Sequence, residues 1–336
     1  MKHANIAIFV PHNGCPHQCS FCDQKNITGL NYQPQKSDVI RACETAKLSL
    51  KDSKIETEIA FFGGSFTAIN KDYMLELLDA AYEYVKDKSF SGIRLSTRPD
   101  AISKEILDLL KSRGVTSIEL GCQSMDDDVL SLNDRGHTEN DVINASKLIK
   151  EYGFSLGLQM MVGLYGSTVD KDLETAKKIV KLKPSTARIY PTVIMKNTKL
   201  SDLYNQGKYI PYTFDETVNV CSEILNLFNS NSINVIRLGL HNTDSLNSSI
   251  VAGIWHPAFR EICEGKILFD KCLESIKSIK PRKNNLIIYV NSKTVSKMTG
   301  HKKYNIMKFR EKGYNVKIKA NDEIAENEFQ INTLEG

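Results

Sequence analysis

Cys15, Cys19 and Cys22 fall within eight residues at C-x3-C-x2-C spacing. Thiolates this close, with Gly14 and Pro16 bending the chain beside them, can converge on one metal centre. Three thiolates are one short of a closed four-cysteine site. A [4Fe–4S] cluster held by three cysteines leaves one iron open, and an open iron is a place for chemistry. A structural zinc site would use the same thiols with His12 or His17 as fourth ligand. A disulfide framework fits poorly, because eight cysteines in 336 residues are sparse and no secretory segment precedes them. Phe21, next to the last thiolate, would shield a cluster and offer a face to a flat ligand.

The elements that must hold this loop are readable from periodicity. Asn5 to Val10 is a short apolar run ending at the loop and reads as a buried first strand. Further strands are expected at Glu58–Phe62, Ile93–Thr97, Val115–Gly121, Ser155–Val162, Ala187–Ile194 and Val235–Leu240. Between them lie helical patterns at Ser37–Leu50 (Ile40, Cys43 and Ala46 on one face), Lys71–Lys86, Lys104–Gly114, Thr138–Gly153, Asp170–Lys181 and Asp215–Phe228. This βα rhythm predicts a parallel sheet covered by helices. No G-x-G-x-x-G follows the first strand, so an α/β barrel, partial or full, suits it better than a dinucleotide-binding sheet. In such barrels reactive residues gather where strands end. After about Phe269 the composition shifts. Strands at Asn285–Val290 and Tyr314–Ala320 flank a basic helical region, Ser292–Gly313. The expected organisation is residues 1–270 as barrel with its extension and 271–336 as a small α/β appendage.

The strand ends carry polar residues. Gly63 and Gly64, followed by Ser65, let backbone carbonyls approach a ligand and accept from an ammonium group, or simply make a tight turn. Ser96, with Thr97 and Arg98, could meet a ribose or carboxylate. Asp100 and Ser103 beside them could instead cap the next helix. Glu119 is an acid inside an apolar strand, costly unless paired with a cation. Arg188 and Arg237 are cations in apolar strands, able to bind an anionic group or to pair with internal acids.

The cysteine spacing with its aromatic closely resembles the signature of the radical S-adenosylmethionine (SAM) superfamily. That likeness implies a partial (β/α)6-type barrel, a [4Fe–4S] cluster on Cys15, Cys19 and Cys22, and SAM bound at the open iron. It implies that the cluster cleaves SAM reductively to a 5′-deoxyadenosyl radical, drawing on an electron donor such as a flavodoxin or ferredoxin. Phe21, Gly63, Gly64, Ser65, Ser96, Glu119, Gln123, Arg135, Gln159 and Met161 become the expected SAM-binding residues, Arg135 as carboxylate clamp and Met161 against the adenine. Gly-Gly-Ser-Phe, Ser-Thr-Arg-Pro-Asp, Glu-Leu-Gly-Cys-Gln-Ser, Arg-Gly-His-Thr, Tyr-Pro-Thr-Val-Ile and His256–Arg260 together resemble the radical SAM domain of the Elongator catalytic subunit, over about residues 5–265. The oxygen-independent coproporphyrinogen III oxidase group is a more distant likeness. The chain departs from Elongator in its compact cysteine spacing, and it reads as lacking both the N-terminal tRNA-binding extension and the acetyltransferase domain.

Charge is unevenly spread. Residues 276–320 hold 13 Lys/Arg against one acid, Glu311, whereas residues 321–336 hold five acids and no Lys/Arg. A segment that basic suits a polyanion. Tyr289, Tyr304, Phe309 and Tyr314 interleave with it and could stack on bases or form the appendage's core. The expected function is therefore radical SAM chemistry on tRNA or another RNA, with a small anionic metabolite such as a tetrapyrrole as the second candidate. A non-catalytic nucleic-acid-binding protein with a structural metal is the third. The apolar run at Ile6–Val10 is too short for a signal or a membrane span, which predicts a cytoplasmic protein with no membrane partner. The other five cysteines, Cys43, Cys122, Cys221, Cys263 and Cys272, read as structural.

Overall fold

Along each main strand, residues of one parity are aliphatic and the others polar or aromatic, which forces one face of the sheet under helices. The computed structural model describes residues 3–11, 15, 18–23, 32–50, 56–240, 244–281 and 284–333. Strands β1 (His3–Val10), β2 (Glu56–Gly63), β3 (Gly92–Thr97), β4 (Val115–Gln123), β5 (Ser155–Val162), β6 (Thr186–Pro191) and β8 (Asn234–Leu238) form one seven-stranded sheet. They follow one another in that order and every pair is parallel. β1 and β8 are the two ends of the order, so the sheet is a half-barrel, as the βα rhythm predicts.

Ile59, Phe61, Ile93, Leu95, Ile118, Leu120, Leu158 and Ile189 form the outer, helix-covered face, and all are fully buried. The helices begin where side-chain caps dictate. Asn70, Ser103, Thr138, Thr168 and Thr213 each accept from a backbone N–H three residues on, and Thr138 and Thr213 complete capping boxes with Asp141 and Glu216. Ser103 thus caps as expected, whereas Asp100 holds Arg98 instead.

Three expectations are corrected. The run Ala187–Ile194 is not one strand: β6 ends at Pro191, which has no N–H to continue the ladder. Val193–Met195 (β7) leaves the sheet to pair antiparallel with β9 (Ile250–Gly253). On the helix Lys36–Leu50 the buried stripe is Val39, Cys43 and half-buried Ala46, while Ile40, one step round, is 38% exposed. The basic region 292–313 is several short pieces, because Gly300, Lys302 and Lys303 adopt left-handed backbone between helices Val295–Thr299 and Tyr304–Glu311.

Helix Phe259–Ile279, which periodicity did not reveal, joins two cores. Phe259 and Cys263 pack into the half-barrel, and Leu268, Phe269, Cys272, Leu273 and Ile276 pack into a second core. Residue 270 therefore falls inside a continuous helix. The second core lies under a three-stranded sheet of order β11 (Asn315–Ala320), β10 (Asn285–Val290), β12 (Phe329–Thr333). Phe309 and Met298 are fully buried in it. Among the described residues no helix is long and apolar enough to cross a membrane.

Candidate active site at the strand ends

The cysteine loop after β1 is pinned from two sides. Ser20 donates its N–H to Asn133 O (3.1 Å) and its Oγ–H to Asn133 Oδ1 (2.7 Å), and Ser20 O accepts from Leu200 N (2.8 Å). A tight turn, Cys22 N to Cys19 O (3.1 Å), folds the backbone between the last two cysteines. Cys19 is buried, and Cys15 and Cys22 are half-buried. Burial pushes the Cys22 thiol up to about 12, with Cys19 and Cys15 adding to the rise and Arg135 opposing it. His12, Gly14, Pro16 and His17 lie outside the described residues.

Arg135 bridges the loop to β4. Its Nη2 donates to Gly121 O (2.6 Å), its Nη1 to Cys19 Sγ (3.2 Å), and its buried Nε has no partner among the described residues. A Cβ at Gly121 would fall 3.0 Å from that Nη2 and 2.8 Å from Gln123 Nε2, so only glycine leaves this space open. The β4–β5 register shifts between Gly121 and Gln123, and Gln123 adopts left-handed backbone (φ +63°). Such a bulge at a strand end re-aims a side chain. Gln123 Oε1 accepts from Gln159 Nε2 (3.1 Å), and Cys122 Sγ–H donates to Gln159 O (2.7 Å). The structure thus brings Cys19, Arg135, Gly121, Gln123 and Gln159 into one network.

A second group lies on the inner face. Glu119 accepts from Arg188 Nε (2.7 Å) and Ser96 Oγ (3.3 Å). Arg188 also donates to Tyr190 Oη (3.2 Å) and sits 4.9 Å from the Phe62 ring centre. Burial opposes the guanidinium's charge, but Glu119 and Tyr190 together outweigh it and hold its pKa above the ordinary value. The buried acid thus has the cation that its position demands. Met161 shares this face and is half-buried, while Met160 is fully buried in the outer core.

The remaining residues are placed separately. Ser65 is buried with its Oγ 3.5 Å from Cys15 Sγ. Gly63 (φ +115°) lies against β1, where a Cβ would meet Val10 O at 2.8 Å, and Gly64 N donates to Val10 O. Phe21 packs with the apolar group of Ile194, Leu200 and Tyr209.

Three further residues belong to this site, of which only Arg98 was read from the sequence as a candidate. Asn133 clamps the loop, but no motif marks it. Arg98 is 2% exposed and has one guanidinium nitrogen, Nη1, with no partner, its others turned to Asp100. His137 contacts Cys122 O (3.2 Å), and burial pushes its pKa down to about 4, helped by Arg135 and Arg98. The Arg-Gly-His-Thr run was its only signal.

The donor set suits an iron–sulfur cluster. Three thiols at cluster spacing stand beside a guanidinium already donating to one sulfur. Buried Arg135 Nε, without a partner among the described residues, is a donor that a bound anionic group would satisfy. Among the described residues no three His, Cys, Asp or Glu side chains already form a finished metal-holding set.

Comparison with known proteins identifies the family. The model of the Radical SAM superfamily matches residues 9–179, and that of the Radical_SAM C-terminal domain matches 184–267. The chain is 28% identical over 240 residues to a tRNA uridine(34) acetyltransferase of Dehalococcoides mccartyi, covering 62% of this chain and 52% of that one. It is 28% identical over 270 residues to human Elongator complex protein 3, covering 67% and 49%. The chain therefore spans about half the length of these relatives. An archaeal Elp3 structure from Methanocaldococcus infernus shares the fold, with TM-score 0.62 at 20% identity, covering 84% of this chain and 65% of that one. With more than half of its residues matched by the family model, the chain belongs to the radical SAM superfamily and is a radical SAM enzyme, a family that implies a [4Fe–4S] cluster and SAM.

Proposed function

We propose that this radical SAM enzyme acts on RNA, with tRNA as the first candidate. The observation that carries the reading is that relatives matching about two-thirds of the chain are named for tRNA uridine 34. The basic segment 276–320 supports it, since lysines and arginines supply most non-specific affinity for RNA.

When bound, the [4Fe–4S] cluster supplies the electron that cleaves SAM reductively. Cys15, Cys19 and Cys22 hold that cluster. Arg135, which donates to Cys19 Sγ, would steady the negative charge on the sulfurs, and its Nε would be available to a bound ligand. Gln123, aimed by the bulge and fixed by Gln159, offers an amide to SAM. Glu119, paired with Arg188, offers carboxylate oxygens with Ser96 beside it. Gly63, Gly64 and Ser65 present backbone and hydroxyl from β2, and Phe21 and Met161 supply apolar surface. Enclosure by the half-barrel keeps water from the reacting atoms. A small anionic metabolite is the second candidate, favoured by Arg237. That side chain lies beside Arg188 in register, donates to Gly239 O, and has no carboxylate at ion-pair distance among the described residues.

Nucleoside analysis of total tRNA from a deletion strain tests the reading. One modified nucleoside should be lost, returned by the wild-type gene and not by Cys19→Ala. An unchanged nucleoside profile in tRNA and in the other RNA fractions would reject RNA as substrate.

A further inference from the structure

The three-stranded sheet has a second face that nothing described covers. Its core face carries Leu286, Ile288, Val290 and Val316, which the helices bury. Residues of the opposite parity form two cross-strand rows: Lys317, Ile287 and Asn332, then Lys319, Tyr289 and Gln330. The two lysines, Asn332 and Gln330 are exposed, Tyr289 is half-exposed, and Ile287 is 9% exposed beneath its neighbours. Lys319 Nζ lies 6.0 Å from the Tyr289 ring centre.

Some lysines of the appendage are paired, whereas those of this face, like Lys302, Lys303, Arg310 and Lys312, have no ion pair among the described residues. Lys293 pairs with Glu326 and Lys308 with Glu311, while Asp322 accepts from Ser292 N. Lys317 and Lys319 have no carboxylate at ion-pair distance among the described residues. Among the described residues, the acid Glu328 lies just before β12. Of the four aromatics interleaved with the basic segment, Phe309 is fully buried and Tyr314 packs on the second core. Tyr304 is exposed but its ring faces Lys308, which Glu311 already neutralises. Tyr289 alone of the four stands on the central strand of this face, with Lys319 of β11 on one side and Gln330 of β12 on the other.

We infer that this face is a docking platform for single-stranded RNA, with Tyr289 stacking on a base, Lys317 and Lys319 meeting phosphates, and Gln330 and Asn332 reaching base edges. An aromatic gives every base a stacking surface, and flanking cations track the backbone. A rigid A-form duplex presents no unstacked base to Tyr289, so the platform favours single strands. This inference rests on the proposal that RNA is the substrate and adds where, and in which form, it is held.

The test is fluorescence anisotropy of the full reconstituted chain with labelled oligouridine, a duplex of matched length, and tRNA. Tyr289→Ala should weaken oligouridine binding by about 5- to 100-fold, whereas Tyr289→Phe should retain it. Lys317→Gln with Lys319→Gln should reduce the slope of log affinity against log salt by about 1.4, two single-strand phosphate contacts. Melting curves identify any variant that fails to fold, and the lysine pair, being on the surface, keeps the test open if Tyr289→Ala does so. Oligouridine and tRNA binding indifferent to all these substitutions would overturn the platform and leave RNA as substrate standing. No binding of tRNA or oligouridine by the wild type would overturn both, and equal affinity for duplex and single strand would overturn the preference for single strands.

Discussion

The half-barrel and the C-terminal appendage are both sheets with helices on one face and a bare second face, yet their bare faces are built on opposite electrostatic plans. On the inner face of the half-barrel Glu58 pairs with Arg94 (3.1 Å) and Glu119 with Arg188 (2.7 Å), these four side chains being between 10 and 13% exposed, whereas buried Asp172, at the start of a covering helix, is held by Ser167, Tyr212 and Gly163 N and burial pushes its pKa up to about 6. On the appendage, Lys317 and Lys319 are exposed and uncompensated. Enclosure explains the contrast. A buried charge must be paired or it destabilises the fold, so an internal site can be polar only by balancing itself. An exposed face can remain unbalanced because water screens it, and the imbalance then acts outward on a polyanion. The pairs inside hold geometry for a small ligand, and the lysines outside supply attraction.

That contrast can be broken or sharpened in four steps, the largest effect first. Replacing Cys15, Cys19 or Cys22 singly by alanine should reduce both cluster absorbance and 5′-deoxyadenosine formation to background. Replacing Cys43, Cys221 or Cys272, which are buried in packed cores, should leave both intact. Next, Arg188→Leu should cost about 3–5 kcal/mol in urea unfolding, because it strands Glu119 without a cation. Arg188→Leu with Glu119→Leu should recover much of that loss. A single Arg188→Leu within 1 kcal/mol of wild type would show that the interior tolerates imbalance. Third, His137 should make stability depend on pH. Its folded pKa of about 4 lies below the ordinary 6.5, so the unfolded chain takes up a proton first as pH falls. Stability is complete above about 6.5 and is lost towards 4, by on the order of 3 kcal/mol. His137→Gln should flatten that window in unfolding curves taken between the two values. Smallest, Lys317→Gln or Lys293→Gln in the appendage should change stability by no more than about 1 kcal/mol, since both side chains are exposed.

Much of this was legible before the fold was known, and unevenly so. Strands and helices of the half-barrel follow periodicity and capping closely, because each is a whole amphipathic unit: Lys71–Lys86 and Ser155–Val162 are read to the residue. Elements whose apolar residues serve two environments were lost. Helix Phe259–Ile279 changes core midway, so no single stripe runs its length. The run after Ala187 keeps its β-rich composition across Pro191 while changing partner strand. In the site, the cysteines and the acid Glu119 stand out because their chemistry is conspicuous in a chain. Asn133 and the Gln123 bulge do not, because their roles exist only as hydrogen bonds and backbone geometry between distant segments. The charge excess of 276–320 was visible as composition, but which lysines remain uncompensated is decided by partners such as Glu326, 33 residues from Lys293.

The claim at the centre of this account is that the radical chemistry is directed at RNA. It is tested most directly by anaerobic SAM cleavage in the full reconstituted chain, with 5′-deoxyadenosine measured as tRNA is added. The account predicts that tRNA raises the rate, that added salt removes the increase, and that Cys19→Ala shows neither. A rate indifferent to tRNA but raised by a small anionic metabolite such as a tetrapyrrole would contradict it.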